Sequence, residues 1–292
     1  MQRLILAVVL IAASVTALAE VRVVATVPNM GMLARTIGAD AVDVTVLAPP
    51  DRDAHYLEAR PSMMAALRRA DLLVAVGAEL EVGWLPAAQR GAHNPEIRVG
   101  RQGYFEGAAH VDLIDVGGPA DRALGDVHPA GNPHFYFDPN RLATVGFALA
   151  DRLSDLAPEH ADTFQANAEA FAERAQAQVQ RWQEQVAGGS GVVLYHKDAN
   201  YLAGVLDVPV LAYIEPLPGI PPTARHLREL VQSLQGQDGT ILATDFQPAQ
   251  GAEFLAAQLG WSQQRLASQV AIDATADDYF ALIGRWVEAM LP

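Results

Sequence analysis

The chain has 292 residues, a net charge of −14 and no cysteine. That acidic balance argues against nucleic acid as a partner, because a phosphate backbone needs a basic face. Without disulfides the fold must be held by its core, and the length suits two domains of ordinary size.

Residues 1–19, MQRLILAVVLIAASVTALA, read as an export signal. Arg3 gives the positive start, Leu4 to Ala13 the apolar stretch, and Ala17-Leu18-Ala19 the small-residue cleavage site. The apolar stretch is short for a membrane span of about 20 residues. Cleavage after Ala19 is therefore expected. With no cysteine to lipidate, the expected product diffuses freely in a bacterial periplasm.

From Glu20 the pattern alternates strand and helix. The β-branched run at 21–27 predicts a strand. A helical spacing at 29–38 closes on Gly38, a good stop signal. Residues 42–48 alternate as a strand, and PPDRDAHYLEA (49–59) is a loop. Ser62 is expected to cap the next helix, and Asp71 leads into a strand at 72–77. A weaker strand is expected in VDLIDV, 111–116. Residues 117–133, rich in Gly, Pro and Asp, form a surface loop. Asp138-Pro139 reads as an N-cap with proline at the first helical position, opening a helix to about residue 155. After Pro158 comes a long stretch rich in Ala, Gln and Glu, with strong helix propensity, that stops at Gly188-Gly189. It suits a rigid connector. The second half predicts strands at 191–196, 208–213, 239–245 and 268–273, separated by helices.

The expected fold class is α/β, with two (β/α) lobes, each around a mainly parallel sheet of about four strands. The expected division is an N-terminal lobe at 20–157, a connecting helix at 158–188 and a C-terminal lobe at 189–292.

Four residues stand at the ends of apolar runs in four separate regions: His55, His134, His196 and Asp273. In such folds ligands bind at strand ends. Three imidazoles and one carboxylate make a closed tetrahedral shell for Zn2+. A shell without a vacant position favours transport over hydrolysis. Taken singly, each residue has a plainer reading. His55 is a solvated loop histidine, His134 a backbone partner, His196 a core histidine, and Asp273 a helix cap. A zinc-dependent hydrolase, with the histidines as ligands and Asp273 as base, is an alternative of another class. A partner-binding module stabilised by metal is a third.

The segments VVATVPNMGMLARTIGAD, VTVLAPPDRDAHYLEARPSMMAALRRADLLVAVGAELE, NPHFYFDPNR, YHKDANYLAGVLDVPV and AIDATADDYFALI resemble the substrate-binding proteins of bacterial zinc and manganese ABC transporters, the cluster A-I or ZnuA-like family. The resemblance runs through nearly the whole chain after residue 19. It implies two lobes joined by one long helix, with a metal between them. His55, His134 and His196 fall on the three main ligand positions, and Asp273 on the late-chain carboxylate. Histidine at the third position is typical of zinc members and Glu of manganese members, so Mn2+ is the alternative ion. The implied partner is an inner-membrane ABC permease, with a periplasmic metallochaperone as a further partner. The chain is expected to act as a monomer, without catalysis. The sequence departs from the family in two places. Asp53-Ala54-His55 stands where Asp-Pro-His is frequent, and the loop before His134 is short, holding only His128 and nearby Asp126. His128 is an auxiliary-ligand candidate and Asp245 a reserve carboxylate. Glu58 and Arg60 are expected to be structural ion-pair residues, and His93, His110, His160 and His226 surface residues.

Overall fold

A computed structural model describes residues 20–117, 125 and 127–291. The expected export signal and Asp126 lie outside these residues. No helix among the described residues is long and apolar enough to cross a membrane.

Two parallel sheets of four strands each form the molecule. The first has the order β2-β1-β3-β4, with β1 Val21–Ala25, β2 Val42–Val46, β3 Leu72–Ala75 and β4 Tyr104–Glu106. The second has β6-β5-β7-β8, with β5 Gly191–Leu194, β6 Val210–Tyr213, β7 Gly239–Thr244 and β8 Ser262–Leu266. In each sheet the two central strands are the most buried, as expected of parallel strands covered on both faces by helices.

Helices α1 Pro28–Gly38, α2 Pro61–Arg69, α3 Leu85–Ala92 and α4 Pro139–Leu156 belong to the first half. Asp138 caps α4 as predicted, its carboxylate accepting from Asn140 N at 2.9 Å, with Pro139 at the first position. Helix α2 starts differently: Pro61 opens it, Arg60 is the N-cap and no side chain caps it, so Ser62 lies inside the helix.

Helix α5, Ala161–Val186, spans 26 residues, about 39 Å at ~1.5 Å per residue. Its buried positions are Phe164, Ala168, Phe171, Ala175, Val179, Trp182 and Val186. They recur every three or four residues, which puts one apolar stripe along its length. That stripe joins the core cluster that continues through both sheets. The second half adds α6 Asn200–Val205, α7 Ala224–Leu234, α8 Gln250–Leu259 and α9 Ala276–Glu288. Helix α9 turns back onto α1 and α5, where Tyr279 Oη donates to Tyr136 O at 2.8 Å. Asn29 in α1 adds three bonds to residues 268–270, each of 3.0–3.1 Å. These contacts tie the halves together in addition to α5.

Two strands differ from the sequence expectation. The fourth strand of the first sheet is Tyr104–Glu106, and 111–116 is irregular. The fourth strand of the second sheet is Ser262–Leu266, whereas 268–273 is irregular. Both real strands are outermost in their sheets. Backbone pairing defines them, and β8 in particular has a polar, exposed sequence, SQQRL, with no apolar pattern to reveal it.

Candidate metal centre

His55, His134 and His196 come together although the first and last are 141 positions apart in the chain. They are 5%, 3% and 8% exposed. Their ring centroids form a nearly equilateral triangle of 5.3, 5.7 and 5.4 Å. One ring nitrogen from each can be chosen so that all three lie within 4.8 Å of one another.

His55 sits on a short 3-10 turn, Ala54–Tyr56, after β2. Asp53 Oδ1 accepts from His55 N at 2.9 Å and lies 2.6 Å from His55 Nδ1. Trp84 Nε1 donates to Ala54 O at 2.9 Å, which anchors the turn to the first lobe's core. His134 begins another such turn, Phe135–Phe137. Its Nδ1 is 2.9 Å from Tyr136 Oη, and its backbone N donates to Asn132 Oδ1 at 2.9 Å. Asn132 also donates to Lys197 O at 2.9 Å, joining this turn to the next ligand's segment. His196 follows β5 by two residues, and its Nδ1 lies 2.8 Å from Glu215 Oε2, just past β6.

All three Nδ1 atoms are therefore engaged, by a carboxylate, a phenol and a carboxylate. That leaves the three Nε2 atoms for a common ion. A partner on the far nitrogen is how a metal-binding imidazole is oriented. His134 Nε2 is buried and has no hydrogen-bond partner among the described residues. A buried polar atom left unsatisfied is costly, and a bound cation would satisfy it.

Charge around the rings is uneven. Burial, helped by the neighbouring imidazoles, holds the His134 pKa well below its ordinary value. This ring is neutral, as a ligand must be. Burial also opposes charge on His196, but Asp198, Glu215 and Asp53 outweigh it and raise its pKa to about 9. Burial raises the Asp198 pKa against the pull of His196 and Gln247. For Asp53, burial pushes upward, but the hydrogen bond and charge of His55 hold its pKa below the ordinary value.

Asp273 is not in the cluster. It is exposed, in the segment following β8, and its charge acts on Arg35. Arg35 Nη2 also donates to Ile272 O. The nearer carboxylate is Asp198, whose Oδ1 lies 4.0 Å from His134 Nε2. Its other oxygen accepts from Gln247 Nε2 at 2.8 Å. Asp245 is exposed and lines a separate groove with Asp51 and Asp278. Glu58 and Arg60 line the main cleft and form no ion pair among the described residues. That cleft holds about 640 Å3 and includes Asp53, His55, His196, Asp198 and Glu215.

Sequence reasoning missed Asp53, Tyr136, Asp198 and Glu215 as supports of the site. Three of them carried a local signal, since each stands two residues from a ligand. Glu215 carried none, because only strand order brings it to His196.

The family model for the zinc-uptake complex component A, periplasmic (ZnuA), matches residues 23–291. The high-affinity zinc uptake system protein ZnuA of Yersinia pestis is 24% identical over 236 residues, 73% of this chain and 71% of that protein. A crystal structure of ZnuA superposes with a TM-score of 0.76 at 20% identity, covering 93% of this chain and 99% of the other. The substrate-binding protein FpvC of Pseudomonas aeruginosa, in complex with Mn2+, gives 0.75 at 20% identity, over 92% and 96%. The match along almost the whole chain, the two four-stranded sheets and the triad of histidines agree: the chain belongs to the ZnuA family of metal-binding, substrate-binding proteins of ABC transporters.

Proposed function

We propose that the protein is a high-affinity periplasmic zinc carrier that delivers Zn2+ to an inner-membrane ABC permease. The observation that supports it best is the orientation of the three buried imidazoles. Each is held through Nδ1 by a separate partner, and one of the remaining nitrogens, His134 Nε2, has no hydrogen-bond partner among the described residues. Nitrogen donors suit zinc better than manganese, which favours oxygen. His55, His134 and His196 are the proposed ligands. Asp273, expected from the sequence to complete the shell, is exposed and is not grouped with the three histidines, so it is left out of this proposal. The proposed division remains an N-terminal lobe at 20–157, a connecting helix at 158–188 and a C-terminal lobe at 189–292.

In this reading the ion enters through the wide cleft between the sheets. It takes the lone pairs of the three Nε2 atoms, while Nδ1–H donates to Asp53, Tyr136 and Glu215. The carboxylates behind the rings offset the ion's charge without binding it. The links through α5, α9 and Asn29 keep the lobes near their positions, so release depends on the permease moving the loops. A metallochaperone is a further partner able to load the site.

Mn2+ is the second reading, since the FpvC structure is of a Mn2+ complex. Asp198, with one oxygen turned toward His134, is the group that would serve it. Metal content together with competitive zinc and manganese titration decides between them. One zinc per chain, held far more tightly than manganese, is the expected result. A folded protein that takes up no zinc would remove the carrier reading.

A further inference from the structure

His134 and His196 come from different halves of the chain, and one side chain bonds the segments of both. Asn132, only 4% exposed, accepts from His134 N at 2.9 Å through Oδ1 and donates to Lys197 O at 2.9 Å through Nδ2. Asp115 lies beside this amide. Its Oδ2 accepts from Asn132 Nδ2 at 3.4 Å and from Asn200 Nδ2, in the first turn of α6, at 3.0 Å. Its other oxygen, Oδ1, pairs with Lys197 Nζ at 3.4 Å. One carboxylate of the first half thus holds the amide that joins two ligand segments, and it also holds Lys197 and Asn200 of the second half.

The backbone that carries Asp115 is held on both sides. Ile114 O accepts from Asn132 N at 2.8 Å, and Gly117 N donates to Pro129 O at 3.1 Å. Between them Asp115 has φ +58°, a left-handed conformation uncommon outside glycine, asparagine and aspartate. The second half meets this segment with α6 and β6. Tyr201 Oη donates to Asn132 O at 2.7 Å and accepts from Ile114 N at 3.1 Å. Tyr213 Oη donates to Asn200 Oδ1 at 3.0 Å, which leaves the Asn200 amide nitrogen for Asp115. Tyr201 and Asn200 are buried, whereas the side chains of Asp115 and Lys197 are each 33% exposed. The ion pair is therefore the part of this link that salt can reach. It lines a pocket of about 150 Å3 that has His134 and His196 in its wall and is separate from the wide cleft.

We propose that Asp115 is a positioning residue of the carrier: through Asn132 and Lys197 it latches the His134 and His196 segments together and so slows release of the ion. The proposal rests on the carrier reading. Asp115 is not a ligand in it. It acts on His134 through the Asn132 amide and on His196 through the neighbouring Lys197. The bonds made by Tyr279 and Asn29 also join the halves, but at Tyr136 O and at residues 268–270. The link through Asp115 is built on the ligand segments themselves. Release requires these two ligands to separate. Separation breaks the Asp115–Lys197 pair and the bonds to Asn200 and Lys197 O together.

The test measures the zinc dissociation rate of the full chain, loaded with Zn2+ alone, by stopped-flow competition with excess chromogenic chelator. Asparagine and glycine both tolerate the positive φ at this position. Asp115→Asn keeps an acceptor for Asn200 but loses the charge that holds Lys197, so release should be about 2–5-fold faster, the range for a part-exposed ion pair. Asp115→Gly removes every contact and should release zinc roughly tenfold faster, the low end for partners outside the shell. Lys197→Gln should match Asp115→Asn, and the double variant should be no faster than either alone. Rising salt should speed release from the wild type more than from Asp115→Asn, because salt screens a pair that the variant lacks. A side chain that served only the fold would lower the urea midpoint of the metal-free protein and leave the rate and its salt dependence alone. A wild-type rate and salt dependence in Asp115→Asn, or additive effects in the double variant, would overturn the proposal and leave the carrier reading standing, even if Asp115→Gly failed to fold. Wild-type protein that binds no zinc would overturn the carrier reading, and the proposal with it.

Discussion

Glu215 Oε2 lies 2.8 Å from His196 Nδ1 and 2.9 Å from the backbone N of Gly219. One carboxylate oxygen thus fixes a ligand from the end of β5 and the loop that follows β6. Strand order makes this possible, because β5 and β6 are hydrogen-bonded neighbours. The carboxylate does two things to His196. It orients the ring, and it raises the basicity of the nitrogen proposed to meet the ion.

Removing that carboxylate should therefore weaken binding without removing a ligand. Glu215→Gln keeps an acceptor oxygen for Nδ1–H but loses the charge. Zinc affinity should drop by roughly 10-fold, and by up to about 100-fold in Glu215→Ala, the range for outer-shell partners. Competitive titration with a chromogenic chelator measures both. Equal affinity in all three proteins would mean that the ring is held by packing alone.

The pH dependence follows from the same group. In the metal-free protein the His196 pKa stands near 9, so at neutral pH the ring is protonated. Zinc must expel that proton. Apparent affinity should fall about tenfold per pH unit below 9 from this one group. Calorimetry at pH 7 in buffers of different ionisation enthalpy should show proton release on binding. The stability of the metal-free protein has the opposite slope. A pKa raised in the folded state stabilises it fully below the unfolded value of about 6.5, and that stability is lost as pH rises through 9. Denaturant midpoints of metal-free protein at pH 6 and pH 10 check the sign.

The α/β class, six of the eight parallel strands and the long helix were legible in the sequence, because parallel strands are apolar runs and α5 repeats its apolar residues at helical spacing. The last strand of each sheet, β4 and β8, was not; Ser262–Leu266 is polar and exposed and gains its identity from pairing with β7. The three histidines were legible because each closes or follows a recognisable segment. Asp273 stands apart from them for a connected reason. Assigning 268–273 as a strand put Asp273 at a sheet edge, where a ligand belongs. With the true strand ending at Leu266, the chain has already turned away toward α1, and Asp273 emerges next to Arg35.

That relocation is directly testable. Asp273→Ala should leave zinc affinity within about twofold of wild type, because the carboxylate is exposed and acts on Arg35 rather than on the histidines. His134→Ala removes a buried ligand atom and should abolish tight binding. The two variants titrated side by side separate a ligand from a bystander. A loss in Asp273→Ala comparable to that in His134→Ala would restore the late-chain carboxylate to the shell.

The turn at Gly77 links fold stability to the site. Its φ of +88° is strained for any residue with a side chain, and an added Cβ would lie 2.2 Å from Glu106 Cγ. The Glu106 side chain can move, but it would then lose its bond from Ala78 N at 3.3 Å and that from Tyr104 Oη at 3.1 Å. Gly77→Ala should therefore cost about 1–3 kcal/mol in the metal-free protein, measured by urea unfolding. The same change tilts Ala78 O, and with it the ring of His128 that touches His55. Zinc affinity should fall together with stability. Glu81→Gln tests the turn from its other side: it keeps one acceptor oxygen, enough for Val76 N or Gly77 N but not for both, so stability and zinc affinity should both fall here too. If Gly77→Ala lowered stability but left zinc affinity untouched, the turn would be a feature of the core and not a support of the metal centre.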